Sequence, residues 1–392
     1  QTPVLAAISR RYRERENHIS SDSWPIYISL QKDGILFKMR RTQDLPDKES
    51  ATMFFQDCKL AHQAQITGIS HSVKEILPPD LLDLTQLQKE ANIRYGYTAS
   101  EVYDIAQSLY EKKLISYPRT SSRYLTEDVF DSLSPIMARL LSWELFPAAK
   151  GTGGIDISSL SRHVISAEKA NVHHAIIITG IRPGNMSEKE MQVYRLVAGR
   201  MLEAFMAPCR IETTNVEAVC AAQHFKVEQT RIIEAGWHDV FMCSDMIPTS
   251  GYSVKELPKM EKGDTLNVCG CNMVHKKQLP VNPFTDAELV EYMEQNGLGT
   301  VSSRTNIIRT LVNRKYIRYS GKYIVPTPKG MFTYETIRGK KIADTSLTAD
   351  WEKQLAGLES GMITGQDFLN RIRTLAKEMT DDIFNTYSTK EE

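Results

Sequence analysis

The 392-residue chain has no apolar run approaching the ~18 residues that a membrane helix needs, so no membrane span is read. It has no net charge either. With 48 Lys and Arg against 48 Asp and Glu, a uniformly basic coat is excluded and any grip on phosphate must come from local patches. Cysteine is scarce: Cys58, Cys209, Cys220, Cys243, Cys269 and Cys271 show no C-x-x-C spacing, which reads as reduced, cytosolic thiols and no zinc site. Cys269-Gly-Cys271 is too tightly spaced for a zinc hairpin. No G-x-x-x-x-G-K-S/T loop occurs, and the Gly151-Thr-Gly-Gly154 stretch is a plain connection, so no ATP loop is read. The Asp-x-Asp-x-Glu cluster that would place a magnesium ion is absent. The chain begins at Gln1-Thr2-Pro3 with no initiator Met and no signal-peptide pattern, so it reads as a piece cut from a longer protein.

What remains is ordinary globular composition, 41% hydrophobic and 24% charged, at a length suited to about two or three domains. The most informative stretch runs from Leu114 to Leu125 and contains Tyr117-Pro118-Arg119-Thr120. A phenol two residues ahead of a guanidinium, with Pro118 restricting the backbone between them, holds a nucleophile beside an anion clamp. Alone, the same four residues read better as a surface turn. Two further stretches carry chemistry. His173-His174 precedes the strand-like Ala175-Ile176-Ile177-Ile178; by default one imidazole is buried and one exposed, and no ligands nearby argue for a metal. Gly297-Leu-Gly299-Thr300 leads into Ser302-Ser303-Arg304 at the start of a helix, where Ser either caps the helix or shares free N–H groups with a phosphate. Both readings stand on the residues alone.

The patterning predicts a multidomain α+β chain. An amphipathic helix covers Val4 to His18. Short β segments follow at 24–30, 34–39 and 64–70, with a short helix from Met53 to His62 between them. From Leu81 the period is helical. Thr98-x-x-Glu101 opens a helix striped by Val102, Ile105, Ala106 and Leu109, so Tyr117 lies at its exit. Helices are expected at 127–141 and 142–149, and another through Tyr194 and Met201. Alternating segments at 211–222, 224–229, 231–237 and 265–269 then complete the β unit. Thr285-x-x-Glu288 opens a helix ending at Gly297. The next starts at Ser302 or Ser303, followed by Tyr316–Tyr319 and Tyr323–Pro326 as a wing. Arginines 10, 11, 13 and 15 form one basic patch, better read as an ion-paired helix face. Arg304, Arg309, Arg314, Lys315, Arg318 and Lys322 form a second.

The Leu114–Leu125 stretch resembles the signature Ile-Thr/Ser-Tyr-Pro-Arg-Thr-Asp-Ser-Arg-Tyr-Leu of the type IA DNA topoisomerases, with Ser121 in place of Asp. The 173–179 run is similar to His-His-Ala-Ile-Ile-Pro-Thr of the topoisomerase III branch, with Ile178 in place of Pro. The 297–308 run resembles Gly-Ile-Gly-Thr-Pro-Ala-Thr-Arg-x-x-Ile-Ile, with Val301 in place of Pro, and Gln1-Thr2-Pro3 is similar to the end of Gly-Arg-Val-Gln-Thr/Ser-Pro. The resemblance covers nearly the whole chain. It implies Tyr117, Arg119 and His173 as catalytic residues and Thr300, Ser303, Arg304, Gln1 and Thr2 as DNA contacts. For the fold it implies a β arch that hinges an inserted helical domain bearing the tyrosine, beside a winged-helix-like domain. The expected boundaries are 1–20 for an N-terminal helix packed on the C-terminal helical domain, 21–77 with 208–279 for the β hinge, 78–207 for the tyrosine domain and 280–392 for the DNA-binding domain.

The function that follows from the resemblance is ATP-independent cleavage and resealing of single-stranded DNA through a 5′-phosphotyrosine, with strand passage through the break. Mg2+ is the implied cofactor of the full-length enzyme, its ligands in an upstream Toprim module outside this chain. The chain alone is then expected to bind DNA without reacting and to hold no metal. Implied partners are single-stranded and negatively supercoiled DNA and a helicase partner of the full-length enzyme; the implied location is cytoplasmic, at the nucleoid. A noncatalytic single-stranded DNA-binding or scaffold protein is the alternative. A tyrosine recombinase is disfavoured, because its nucleophile lies near the C-terminus and Tyr117 lies in the first third.

Overall fold

A computed structural model describes residues 1–143, 145–146, 160–170, 173–241, 254, 256–359 and 361–388. The Gly151–Gly154 connection and half of the expected 142–149 helix lie outside them. Helix α1 (Thr2–Glu16) takes Pro3 in its first turn, where a missing N–H costs nothing. Strands β1 (Asp22–Ser23), β2 (Ile26–Lys32) and β3 (Ile35–Arg41) follow, then α2 (Lys48–Leu60), which begins earlier than its apolar residues predict because Asp47 caps it by accepting from the Ser50 N–H at 2.6 Å. Strand β4 (Gln63–Ile76) leads into α3 (Leu84–Tyr95) and α4 (Ala99–Glu111). The expected 127–141 helix is broken at Ser132 into α5 (Glu127–Asp131) and α6 (Leu133–Ser142), and α7 (Ala167–Ala170) is one turn long.

Helix α8 (Glu188–Phe205) opens on a capping box of Ser187 and Glu190. Strand β5 (Cys209–Cys220) then pairs with β6 (Gln223–Glu234), which is one continuous strand where two were expected; the Trp237 end of the second segment is instead a 3-10 turn, Gly236–Val240. Gly236 has φ +53°, and an added Cβ there would meet the Ala207 and Pro208 carbonyl oxygens at 2.4 Å, so the chain bends at the one residue that can make the approach. Strands β7 (Thr265–Met273) and β8 (Lys276–Lys277) complete the sheet residues. The remaining elements are α9 (Asp286–Gln295), α10 (Val301–Asn313), β9 (Ile317–Ser320), β10 (Tyr323–Pro326), α11 (Pro328–Ile337), α12 (Thr345–Glu359) and α13 (Gly365–Ser388).

The long strands close into an antiparallel barrel in the order β2-β3-β6-β5-β4-β7, with β7 returning to β2. Alternation drives closure: Ile26, Ile28 and Leu30 of β2 point inward with Phe37, Met39, Ile66, Val216, Ala218 and Phe225, all nearly inaccessible. From residue 70 to 75 the side chains of β4 are exposed, and β4, β5 and β6 run on together past the barrel. At 14 residues, β4 spans about 45 Å.

Two other apolar cores stand apart from that of the barrel. One joins α3, α4, α6 and α8 through Leu87, Val102, Leu109, Met137, Tyr194 and Leu202 and extends onto Cys209, Ile211 and Trp237 at the root of β5. The other joins Val4, Leu5 and Ile8 of α1 to Leu289, Val290, Met293, Ile308, Leu311, Ile317 and Ile324. Between this third core and the barrel the chain crosses only through the short β1–β8 ribbon, where Gln278 bonds Ser21 and His18.

Candidate active site

The capping box predicted at Thr98 and Glu101 forms, with both reciprocal bonds present, and it starts α4 in the register that decides the site. Past its last turn, Lys113 takes a left-handed conformation at φ 59°. This turns the chain sharply into the Tyr117 loop. The loop is then woven to the histidine stretch. Ser116 donates its N–H to the Ile177 carbonyl at 2.8 Å and its hydroxyl to the Ala175 carbonyl at 3.1 Å, while accepting from the Ile177 N–H at 3.0 Å. Thr120 donates to the His173 carbonyl at 2.8 Å, and the Thr179 N–H returns to the Leu114 carbonyl at 3.1 Å. Thr120 and Ser122 are buried although polar, because Thr120 bonds the His173 carbonyl and the Ser122 N–H while the Ser122 hydroxyl bonds the Lys169 carbonyl.

This weave brings Tyr117 against His173, with ring centroids 4.6 Å apart. Tyr110 of α4 meets the other side of the phenol edge-on at 5.5 Å. Arg119 turns onto the flank of α4. Its guanidinium lies 5.0 Å over the Tyr103 ring and donates to the Gln107 amide oxygen at 3.2 Å. Its Nε is buried with no hydrogen-bond partner, and Arg119 makes no ion pair among the described residues. A guanidinium without an ion-pair partner among the described residues, two positions after Tyr117 on the same loop, is able to accept an anion. Of the two imidazoles, His173 is exposed and His174 half-buried, so the default of one buried ring does not hold. Ser121 is exposed, while Ile178 is buried in the bridge to Ile115.

The residues expected at the DNA surface are less uniform. Thr300 caps α10, in a box with Ser303 whose hydroxyl accepts from the Thr300 N–H at 2.9 Å; no carboxylate occupies that first turn. Arg304 points inward at 9% exposure. Its Nε donates to the Gly299 carbonyl at 3.1 Å, and one terminal nitrogen reaches Thr85 at 3.0 Å and Glu294 at 3.2 Å. Gln1 and Thr2 sit at the start of α1, well separated in sequence and packing from the Tyr117 loop. In the first basic patch Arg11 pairs with Glu288 and Arg13 with Glu335, so it ties helices together. In the second, Arg309 is held by Ser100 and Asp104, leaving Arg314, Lys315, Arg318 and Lys322 exposed at the end of α10 and on the wing.

Sequence reasoning missed four residues. Asp83 caps α3, accepting from the Gln86 N–H at 2.7 Å and from Arg123 at 2.6 Å; at 1% exposure, burial pushes its carboxyl up against the pull of those donors. Arg123 also approaches Glu294 at 3.7 Å, so the tyrosine loop is tied to the seam with α9. Tyr103 and Gln107 lie one helical turn apart on α4, a spacing that marks one face, but only the position of Arg119 reveals what that face holds. Among the described residues no group of His, Cys, Asp or Glu is arranged to hold a metal ion.

Residues 1–370 match the family model described as DNA topoisomerase. The chain is 29% identical over 408 residues to DNA topoisomerase 3 of Bacillus licheniformis, covering 98% of this chain and 56% of that protein. It is 28% identical to DNA topoisomerase 3 of Bacillus subtilis, covering 99% and 56%, and 29% identical to DNA topoisomerase 1 of Methanocaldococcus jannaschii, covering 100% and 50%. The chain thus spans about half the length of the curated relatives it matches. In fold it is similar to full-length topoisomerase I from Thermotoga maritima, with a TM-score of 0.74 at 22% identity, over 96% of this chain and 62% of that one.

Proposed function

We propose, from the premise that this chain belongs to the type IA DNA topoisomerases and is topoisomerase III-like, that it carries the part of the enzyme that breaks and reseals single-stranded DNA. Tyr117 Oη attacks a backbone phosphorus, the bond from phosphorus to the 3′ oxygen breaks, and the 3′ oxygen takes up a proton as the phenol loses its own. A 5′-phosphotyrosyl bond results. The reverse attack by the 3′-OH restores the strand, so no ATP is consumed. The observation that carries this reading is the unpaired Arg119 guanidinium on the same short loop as Tyr117, whose ring lies 4.6 Å from His173. A phenol ionises near pH 10, about three units above neutral. A fixed cation and an imidazole donor where negative charge gathers favour the attacking phenolate and the crowded phosphate over the resting state.

The exposed cations Arg314, Lys315, Arg318 and Lys322, with the Thr300 and Ser303 hydroxyls, form the surface along which the strand lies in this reading. Negatively supercoiled DNA supplies the single-stranded segment, and a helicase is the kind of partner that would expose one. Strand passage uses the barrel as the arch and the β1–β8 ribbon as its flexible joint. Mg2+ is the cofactor of the full-length enzyme here. Because the described residues offer no cluster that fits it, no step above passes through the ion. The chain alone then binds DNA without cleaving it.

Covalent trapping tests this. Oligonucleotides labelled at either end are mixed with the chain, with and without the remaining part of a full-length relative and Mg2+, then run on a denaturing gel. A shifted band from the 3′-labelled strand, lost in Tyr117→Phe, is expected in the complemented mixture only. DNA binding without any adduct, complemented or not, would overturn the catalytic reading in favour of a noncatalytic binding protein.

A further inference from the structure

Helix α4 presents Tyr103, Gln107, Tyr110 and Glu111 at the i, i+4, i+7 and i+8 spacing of one face, and that face runs alongside the Tyr117 loop. Three of the four touch the reacting groups or their support. Tyr110 packs on the Tyr117 ring, Tyr103 lies under the Arg119 guanidinium, and Gln107 accepts a hydrogen bond from it at 3.2 Å. The fourth sets the third: the Gln107 amide nitrogen donates to Glu111 at 2.8 Å. A primary amide can turn either end toward a neighbour. Its donation to Glu111 settles that choice, so the amide oxygen faces Arg119.

The chemical type of this contact matters more than its strength. Arg119 needs an acceptor to hold its orientation, since a long side chain left free loses about 2 kcal/mol of rotamer entropy on ordering. A carboxylate would supply one and also neutralise the positive charge that a phosphate must meet. An amide oxygen orients the guanidinium and leaves that charge whole. Elsewhere in the chain buried and part-buried arginines are held differently: Arg200 lies between Glu90 and Glu203, Arg304 on Glu294 and the part-buried Arg123 on Asp83. Those three hold structure together, and each is matched by a carboxylate. Arg119 is partly buried, its Nε has no partner, and its orienting group is neutral.

We propose that Gln107, held by Glu111, is a positioning residue for Arg119: a neutral acceptor that aims the guanidinium at a DNA phosphate without neutralising it. This rests on the reading of Arg119 as the phosphate clamp. The test therefore separates the two.

Affinity for a single-stranded oligonucleotide is measured by fluorescence anisotropy across a series of salt concentrations, using the whole chain, with far-UV circular dichroism to confirm folding. Each phosphate neutralised on a single strand contributes about 0.7 to the slope of log affinity against log salt. Arg119→Ala should lower the slope by about 0.7. Gln107→Glu, nearly identical in shape, should lower it by the same amount and add nothing in the Arg119→Ala background. Gln107→Leu should keep the full slope, because the charge survives, while affinity falls about two- to tenfold through lost orientation. If Gln107→Glu and Gln107→Leu behave alike, or if Gln107→Glu weakens binding further when Arg119 is already alanine, the proposal is overturned, the effect being structural or general repulsion. If Arg119→Ala itself leaves the slope unchanged, the clamp reading fails and takes the proposal with it. Only that last result touches the underlying reading.

Discussion

Glu190 serves two helices at once. Its carboxylate closes the capping box of α8 with Ser187 and receives Lys112 at 2.6 Å and Ser108 at 2.7 Å from α4. Those donors, Lys112 first, hold it at about 2, below the usual 4.5. A depressed carboxyl adds stability that is complete above pH 4.5 and drains away as the pH falls toward 2. Glu190→Gln keeps the cap geometry and removes only the charge, so it should lower stability by about 1 kcal/mol at pH 7. In thermal melts of the two proteins, the gap should narrow below pH 4.5 and close near pH 2. A gap independent of pH would assign the effect to packing. At this scale the stretches that bring Tyr117 and His173 together could be picked out because each is a short contiguous motif. Gln107 could not, since its meaning depends on a side chain twelve positions away across a sharp turn. Arg304 shows the reverse: its motif was plain, but its inward direction depends on Thr85 and Glu294, one of them more than 200 residues distant.

Among the elements, the helix starts at Thr98 and Thr285 were legible, because a capping box is written in residues three apart. Helix α10 starts at Val301, a residue earlier than expected, with Thr300 as its cap. Strand β6 was harder. Its exposed far half lacks the alternation that a one-sided sheet imposes, since β4, β5 and β6 leave the barrel there and both faces meet solvent. The packing of α11 on the wing depends on a single missing side chain. A Cβ on Gly330 would fall 2.0 Å from the Tyr316 carbonyl oxygen, in a position where α11 also meets Leu5 of α1. Gly330→Ala should therefore destabilise the chain by about 2 to 3 kcal/mol, despite alanine's better helix propensity. Denaturant unfolding would show this as a lower midpoint with an unchanged slope; a stabilised variant would mean that α11 shifts freely.

In the whole molecule, the seam between α3 and α4 on one side and α9 and α10 on the other is polar where each side's interior is apolar. Asp286, 2% exposed, accepts from the Ala99 N–H and the Tyr319 hydroxyl, both at 3.1 Å, and burial pushes its carboxyl up. Asn92 accepts from the Ala287 N–H at 3.3 Å, while Gln88 donates to Thr305 at 2.9 Å. Ion pairs also cross it, Lys89 to Glu291 at 2.7 Å, Arg309 to Asp104 at 2.8 Å and Arg123 to Glu294 at 3.7 Å, all between partly exposed side chains, so water can take up much of the charge that parting the seam uncovers. Hydrogen exchange should find the Ala99 and Ala287 amides opening well before the β5 amides. Asp286→Ala should cost about 1 to 3 kcal/mol and speed Ala99 further. Equal protection of seam and barrel would show a single cooperative unit. None of this seam was legible in sequence, because its partners are polar residues with no periodic signal. Closure of the sheet into a barrel was equally hidden, since alternation says which face is buried but not which strands meet.

The register of the barrel has one more consequence. Strand β4 ends at Ile76 directly opposite Cys209, the first residue of β5. Everything from 77 to 208, Tyr117 included, therefore enters and leaves at a single rung of one antiparallel pair. In genetic terms the helical unit is a cassette: its ends lie as close as those of a tight turn, so a few turn residues could replace it and leave the pairing of the barrel strands as it is. Tyr117 arrives on a removable part, and the barrel could have existed before there was anything for it to carry.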